Sequence, residues 1–284
     1  MPDQCPGAGS GHCNFNQTEV FRQMTIIKSY RSIRSILLIL FTALTLPGLA
    51  QDNPKAIFTK ALDKMMTDQM ELSMDIETTD DKGRIKEKAY DILMTKFGEV
   101  EKTRMVMQKP ERAKGITVVI TSTPGETGVI EVLTPANGKI RKMKATPDNM
   151  DQVGSNLILS SLTSLVREGL SYGLEGMQEV DGKNCYSLQV SDHSDSNGMN
   201  GRFLVEEGSY HLVRIELFDD KGASTSITKL SDFQSIAGTK GKVQAMKIDT
   251  ENLADKSQTR MQVTHIAHRP DLEEEDFVIQ ETTN

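Results

Sequence analysis

From Glu71 onward the chain is built of short runs in which apolar and polar residues alternate, each run closed by a turn signal. Leu72, Met74 and Ile76 alternate with Ser73, Asp75 and Glu77, and Asp80-Asp81-Lys82-Gly83 then stops the pattern. A period of two places every second side chain on one face of a strand, so each run can bury one face and wet the other. The same pattern predicts strands at 85–97, 99–107, 116–121, 128–133 and 139–145, separated by Gly98, Lys109-Pro110, Pro124-Gly125-Glu126 and Pro135-Ala136-Asn137-Gly138. It returns at 177–180, 184–190, 202–205, 211–218, 225–230, 242–250 and 257–266. So many short strands at near-regular spacing, joined by tight turns, predict a mainly β chain with an antiparallel sheet or barrel.

Two segments have the helical period instead. Ile57, Phe58, Ala61, Leu62, Met65 and Met66 form one apolar stripe after Pro54, a residue suited to a first helical turn. Leu157, Ile158, Leu162, Leu165 and Val166 do the same over 155–168, with Ser155 or Asn156 as cap and Gly169 just past the end. A helix inserted among strands can plug a sheet face or act as a lid over an apolar cavity.

Ahead of the repeating pattern lies an export signal. Lys28, Arg31 and Arg34 precede the apolar run Ile36–Leu46, Pro47 breaks it, and Gly48-Leu49-Ala50 supplies small residues for a peptidase. The run is about half of what a bilayer span requires. Met24 is the expected initiator, with 1–23 a gene-model extension, 24–50 the signal peptide and 51–284 the mature domain. Cleavage near Ala50 would leave Gln51 first, with no cysteine to carry a lipid anchor, so the expected product is soluble in the periplasm.

Charge excludes some roles. Residues 1–50 hold four of the 33 basic and two of the 40 acidic groups, which leaves a net charge of −9 on the mature chain. Nucleic acid demands a basic face, and so does electrostatic docking on anionic lipid. Cys185 is the one cysteine after residue 50, so no internal disulfide is available, and its expected place is a buried strand position.

Catalytic patterns are scarce. His265 and His268 lie three apart at a strand end with no third ligand nearby, and are read as surface histidines rather than a metal site. Asp192-His193-Ser194-Asp195 contains triad residue types, but a working triad converges from separated positions. Glu273–Asp276 reads as a solvated acidic face. No cofactor is implied. A large β scaffold with an apolar face is suited to holding acyl chains in a concave interior.

The order of certain segments resembles the outer membrane lipoprotein-sorting protein family, the LolA-like group. Pro110-Glu111-Arg112-Ala113-Lys114-Gly115 leads into Ile116–Thr121, followed by Val129–Leu133 and Thr134–Arg141. Gly201–Val205, Leu212–Asp219, Lys221-Gly222, Asp232-Phe233, Ile236–Gly238 and the closing Leu272–Phe277 are similar to the family's later strands and ending. Two departures stand out: 128–133 lacks the family's aromatics, and its Phe-containing acidic segment appears only as Gln152–Asn156. The resemblance implies an unclosed antiparallel β-barrel with covering helices. It further implies a non-enzymatic periplasmic carrier of lipoprotein or phospholipid acyl chains, served by an inner-membrane exporter and an outer-membrane receptor. Met105, Met107, Ile116, Val118 and Ile120 are the expected cavity residues, and Leu157, Ile158, Leu162 and Leu165 the expected lid. An envelope sensor of the RseB-like type using the same fold is the alternative, and a lipid hydrolase the third.

Overall fold

A computed structural model describes residues 53–65, 67–146, 149–150, 169–192 and 200–280. The signal segment, the lid residues Leu157, Ile158, Leu162 and Leu165, and His193–Asp195 lie outside the described residues.

Helix α1 runs from Pro54 to Met65. Asn53 caps it, its Oδ1 accepting from the amides of Lys55 (3.0 Å) and Ala56 (3.4 Å), which satisfies two of the free N–H groups of the first turn. Thirteen strands follow: β1 (Met70–Thr79), β2 (Ile85–Phe97), β3 (Val100–Lys109), β4 (Thr117–Ser122), β5 (Val129–Thr134), β6 (Lys139–Lys144), β7 (Leu170–Val180), β8 (Lys183–Asp192), β9 (Asn200–Glu206), β10 (Leu212–Phe218), β11 (Ser224–Ser235), β12 (Val243–Asn252) and β13 (Ser257–His268). All pair antiparallel in one sheet, in the order β6-β5-β4-β3-β2-β1-β13-β12-β11-β10-β9-β8-β7. The order is a meander except at one place, where the first strand pairs with the last.

That exception sets the architecture. The two edges, β6 and β7, are consecutive in the chain and share no ladder, so the sheet is unclosed. Its turns follow the local chemistry. At the β7–β8 hairpin Asp181 and Gly182 both have positive φ (50° and 78°), the combination a two-residue turn needs to match strand twist.

One face of the sheet carries the main core. Leu72, Met74 and Ile76 of β1, Ile92 of β2, Val118 of β4 and Ile130 of β5 share a single buried cluster with Leu188, Val190, Phe203 and Val205 from the other half. Side chains from both halves meet because the sheet curls. Helix α1 fills this concave side, burying Ile57, Phe58, Ala61, Leu62 and Met65. Phe58 is 1% exposed and sits edge-on to Phe203 (5.0 Å) and tilted against Tyr172 (5.6 Å). Burial of such a ring contributes about 1.5–3 kcal/mol. Polar contacts fix the same helix from its flanks. Lys242 Nζ donates to Asp63 Oδ1 at 2.8 Å, and Lys60 Nζ lies 3.5 Å from the Tyr210 ring centre.

The opposite face has a smaller cluster of Val119, Leu272 and Phe277, with Leu93, Phe97 and Ile279 packed against it. The chain after β13 supplies this cover through a 3-10 turn at Glu274–Phe277. Phe277 meets Phe97 edge-on at 5.9 Å. The acidic run is exposed at Glu273–Glu275, as expected of a solvated face, and it also anchors the segment. Glu274 pairs with Lys102 (3.3 Å), the Asp276 carbonyl accepts from Arg104 (3.0 Å), and Asp276 Oδ2 accepts from the Glu273 amide (2.9 Å).

Two predictions come from this packing. Phe58→Ala should cost about 3–5 kcal/mol in urea unfolding, because the ring's cavity lies between two packed layers. The second concerns His211, which stacks on Phe233 at 4.3 Å and lies 3.6 Å from Glu206. Burial holds its imidazole below the ordinary histidine value; Glu206 opposes this, and Lys64 and Lys183 add to it. A base whose folded value is depressed contributes stability that is complete above its unfolded value of about 6.5 and is lost as pH falls below it. The urea midpoint of the wild type should therefore fall more steeply than that of His211→Gln between about pH 7 and pH 5. Parallel decline in both proteins would remove His211 from that role.

Candidate functional site

Side-chain alternation along β1 to β5 assembles the floor of the concave face. On β2, Tyr90, Ile92 and Met94 point into the main cluster, while Leu93 and Phe97 of the opposite phase join the smaller one. Register then places methionines side by side. Met70 pairs with Met94, Met74 and Met107 flank Tyr90, and Met105 lies beside Ile92. The pattern extends around the curl. Ten of the eleven described methionines lie in or against this one core, with Met177 the exception. Methionine has an unbranched, polarizable side chain that refills irregular space at low cost, so a wall made of it can repack around a guest.

The expected cavity residues fall on this floor or at its margin. Met105, Val118 and Ile120 are buried in the cluster and Met107 packs against it. Met105 and Val118 are register partners. Ile116 is half-buried just ahead of β4, where its carbonyl accepts from the Met107 amide at 2.9 Å.

Sequence reasoning missed several residues. Tyr90 is 2% exposed and its hydroxyl has no hydrogen-bond partner. Burial pushes its phenol above the ordinary tyrosine value, so it stays a protonated donor at neutral pH. A bulge lies beside it. Ala89 pairs with Lys109 and Tyr90 with Met107, leaving Gln108 as the extra residue. The strand phase of Tyr90, shared with Ile92 and Met94, was the signal available in the sequence.

A second set surrounds an open groove of about 970 Å³ between α1, the start of β7 and the β11–β12 connection. Phe58, Leu62, Leu170 and Tyr172 give it an apolar lining, and Lys55 and His268 stand at its polar margin. Burial raises the Tyr172 phenol as well. None of the five expected cavity residues lines this groove.

Other titratable groups have structural surroundings. Cys185 is fully buried on β8, and burial pushes its thiol up, away from nucleophilic use. Arg202 ties Glu175 (2.7 Å) to Glu216 (3.3 Å), which holds the Glu175 carboxyl below its ordinary value. Among the described residues no three His, Cys, Asp or Glu side chains gather as metal ligands, and no helix is long and apolar enough to cross a membrane.

Comparison with known proteins agrees with this geometry. The profile of a family described as an uncharacterized protein matches residues 99–281. No curated protein sequence matches the chain. Solved structures do. A domain ascribed to an outer membrane lipoprotein-sorting protein of Vibrio parahaemolyticus superposes with a TM-score of 0.64 at 13% identity, over 79% of this chain and 97% of that one. A DUF1329 family protein of Desulfovibrio piger gives 0.63 at 17% identity, over 80% and 98%. A LolA superfamily protein of Nitrosomonas europaea gives 0.56 at 16% identity, over 80% and 97%. The superpositions show that the chain has the fold of these proteins. The chain therefore belongs to the uncharacterized protein family whose profile covers residues 99–281, and its fold is LolA-like.

Proposed function

We propose that this protein binds acyl chains of lipoproteins or phospholipids in its concave interior and carries them across the periplasm towards the outer membrane. The observation that carries the reading is the gathering of ten of the eleven described methionines in or against the one core on the concave side of an unclosed sheet. A close-packed core meant only for stability gains from side chains with few rotamers, such as Leu, Ile and Val. A face that must accept variable acyl chains gains from methionine. The fold shared with a lipoprotein-sorting domain supports the same reading, as does the export signal ahead of Gln51.

In this reading Met105, Met107, Ile116, Val118 and Ile120 contact the acyl chains, and Leu157, Ile158, Leu162 and Leu165 close over them. Residues 24–50 are removed on export. Sequestration is reversible and non-enzymatic. Each buried methylene contributes about 0.8 kcal/mol, offset by the cost of opening the packed floor. Transfer then depends on a small gap between open and closed states that cargo shifts.

The chain contains no tryptophan, so a ligand that carries one reports its own binding. A dipalmitoyl lipopeptide with a single tryptophan should show blue-shifted emission on titration with the protein and saturate near equimolar ratio. Protein recovered from a periplasmic fraction should start at Gln51 by intact mass and release acylated lipid on organic extraction. Lipid-free protein that also leaves the lipopeptide emission unmoved would exclude the carrier role.

A further inference from the structure

The concave floor has one buried hydroxyl left without a partner. Three buried polar atoms on β1–β5 lack a hydrogen-bond partner, and of these Tyr90 Oη alone has the inward phase of Ile92 and Met94; Thr95 has the phase of Leu93 and Phe97, and Arg104 the phase opposite to Met105. An unpaired hydroxyl in such surroundings costs stability, and replacing it by a hydrogen would relieve that cost. Buried polar groups without partners are rare, and each calls for a specific cause. Here the cause is not a misfit of the ring. Tyr90 is in phase with Ile92 and Met94 on β2, and lies between Met74 on one neighbouring strand and Met107 on the other. Next along the ladder come the Met70–Met94 pair and Met105 beside Ile92. The one unsatisfied donor of the floor is thus ringed by the side chains best able to move aside for a guest.

We infer that Tyr90 is a specificity-determining residue whose hydroxyl donates a hydrogen bond to a carbonyl oxygen of the bound acyl group. The ligand class is then an ester- or amide-linked acyl chain rather than a plain hydrocarbon or ether-linked chain. This rests on the reading of the interior as an acyl site. The chemistry is complementary on both sides. The phenol supplies a donor that no protein group uses, and the carbonyl supplies an acceptor that would otherwise lose its water on entry. Without Tyr90 the acyl chain would still gain from burial, but its carbonyl would be the unpaired buried group. Placement on β2, well inside the sheet order rather than at either edge, sets how deep the carbonyl must travel.

The test uses two dipalmitoyl-length lipopeptides, each with one tryptophan, identical except that one is ester-linked and the other ether-linked. Binding is titrated by emission against wild type and Tyr90→Phe. Wild type should favour the ester by about tenfold, the weight of one net hydrogen bond. Tyr90→Phe should weaken the ester alone and bring the two ligands level. The ligand-free variant should melt at or above the wild-type temperature, since it loses an unsatisfied group and keeps the ring. Equal binding of both ligands by wild type, or an ester preference that survives in Tyr90→Phe, would overturn the assignment. So would a lowered melting temperature with an unchanged ester preference, which would mark the hydroxyl as a structural group satisfied by buried water. Binding of neither ligand by wild type would remove the acyl site itself, and this assignment with it.

Discussion

The pairing of β1 with β13 is the contact on which the rest of the structure depends. It joins Met70–Thr79 to Ser257–His268, strands at opposite ends of the described chain, through a ladder bent once at Ser73/Met74. The ladder is extended beyond its end by the Arg269 amide on the Gln69 carbonyl (3.0 Å) and by the Arg269–Glu71 ion pair. Without this ladder β1–β6 and β7–β13 would be two separate meanders, each with an extra edge. With it they form one sheet whose concave faces share a core. The cost is a long loop closed in a single step, and closure entropy grows only slowly with loop length, about 0.6 kcal/mol per doubling. The kinetic cost is larger, because contacts so far apart in sequence form late.

The two faces of the sheet serve different ends. The smaller face is closed by the segment after β13, with aromatic and aliphatic contacts and charged anchors at Lys102 and Arg104. The larger face receives α1, and the contacts there are of mixed kind. Phe58 is locked between two rings, whereas Asp63 and Lys60 hold the helix through polar contacts at its rim, Asp63 accepting twice from Lys242 and Lys60 lying over the Tyr210 ring. The helix packs on β7, β9 and β12.

Much of this was legible in the sequence, because its information is local. Period-two alternation located the strands, and the stripe from Ile57 to Met65 located α1 and its buried face. Misses occurred where local rules weaken. β7 starts at Leu170 rather than Met177, and its first half contains Gly173 and Gly176, which give no pattern to read; Gly176 adjoins a bulge with positive φ. β11 continues past Leu230 to Ser235 through Asp232, whose φ of 53° marks an irregularity that alternation conceals. The β1–β13 pairing is non-local and no window of sequence contains it; the family resemblance, not the period, implied the unclosed barrel. For the site, Met105, Val118 and Ile120 were named without a fixed inward face, and they lie buried in the main core. Tyr90 escaped because an amphipathic side chain suits either face, and its lack of a partner is a property of three dimensions.

The break between β6 and β7 has a mechanical meaning. A closed barrel has a fixed strand number and shear, and its bore cannot change without breaking a ladder. This sheet is a split ring. Among the described residues its two edges share no ladder, so small changes in twist shared over twelve strand interfaces change the width of the interior while every ladder stays intact. The width of the interior then becomes a continuous variable of the fold instead of a fixed count of strands.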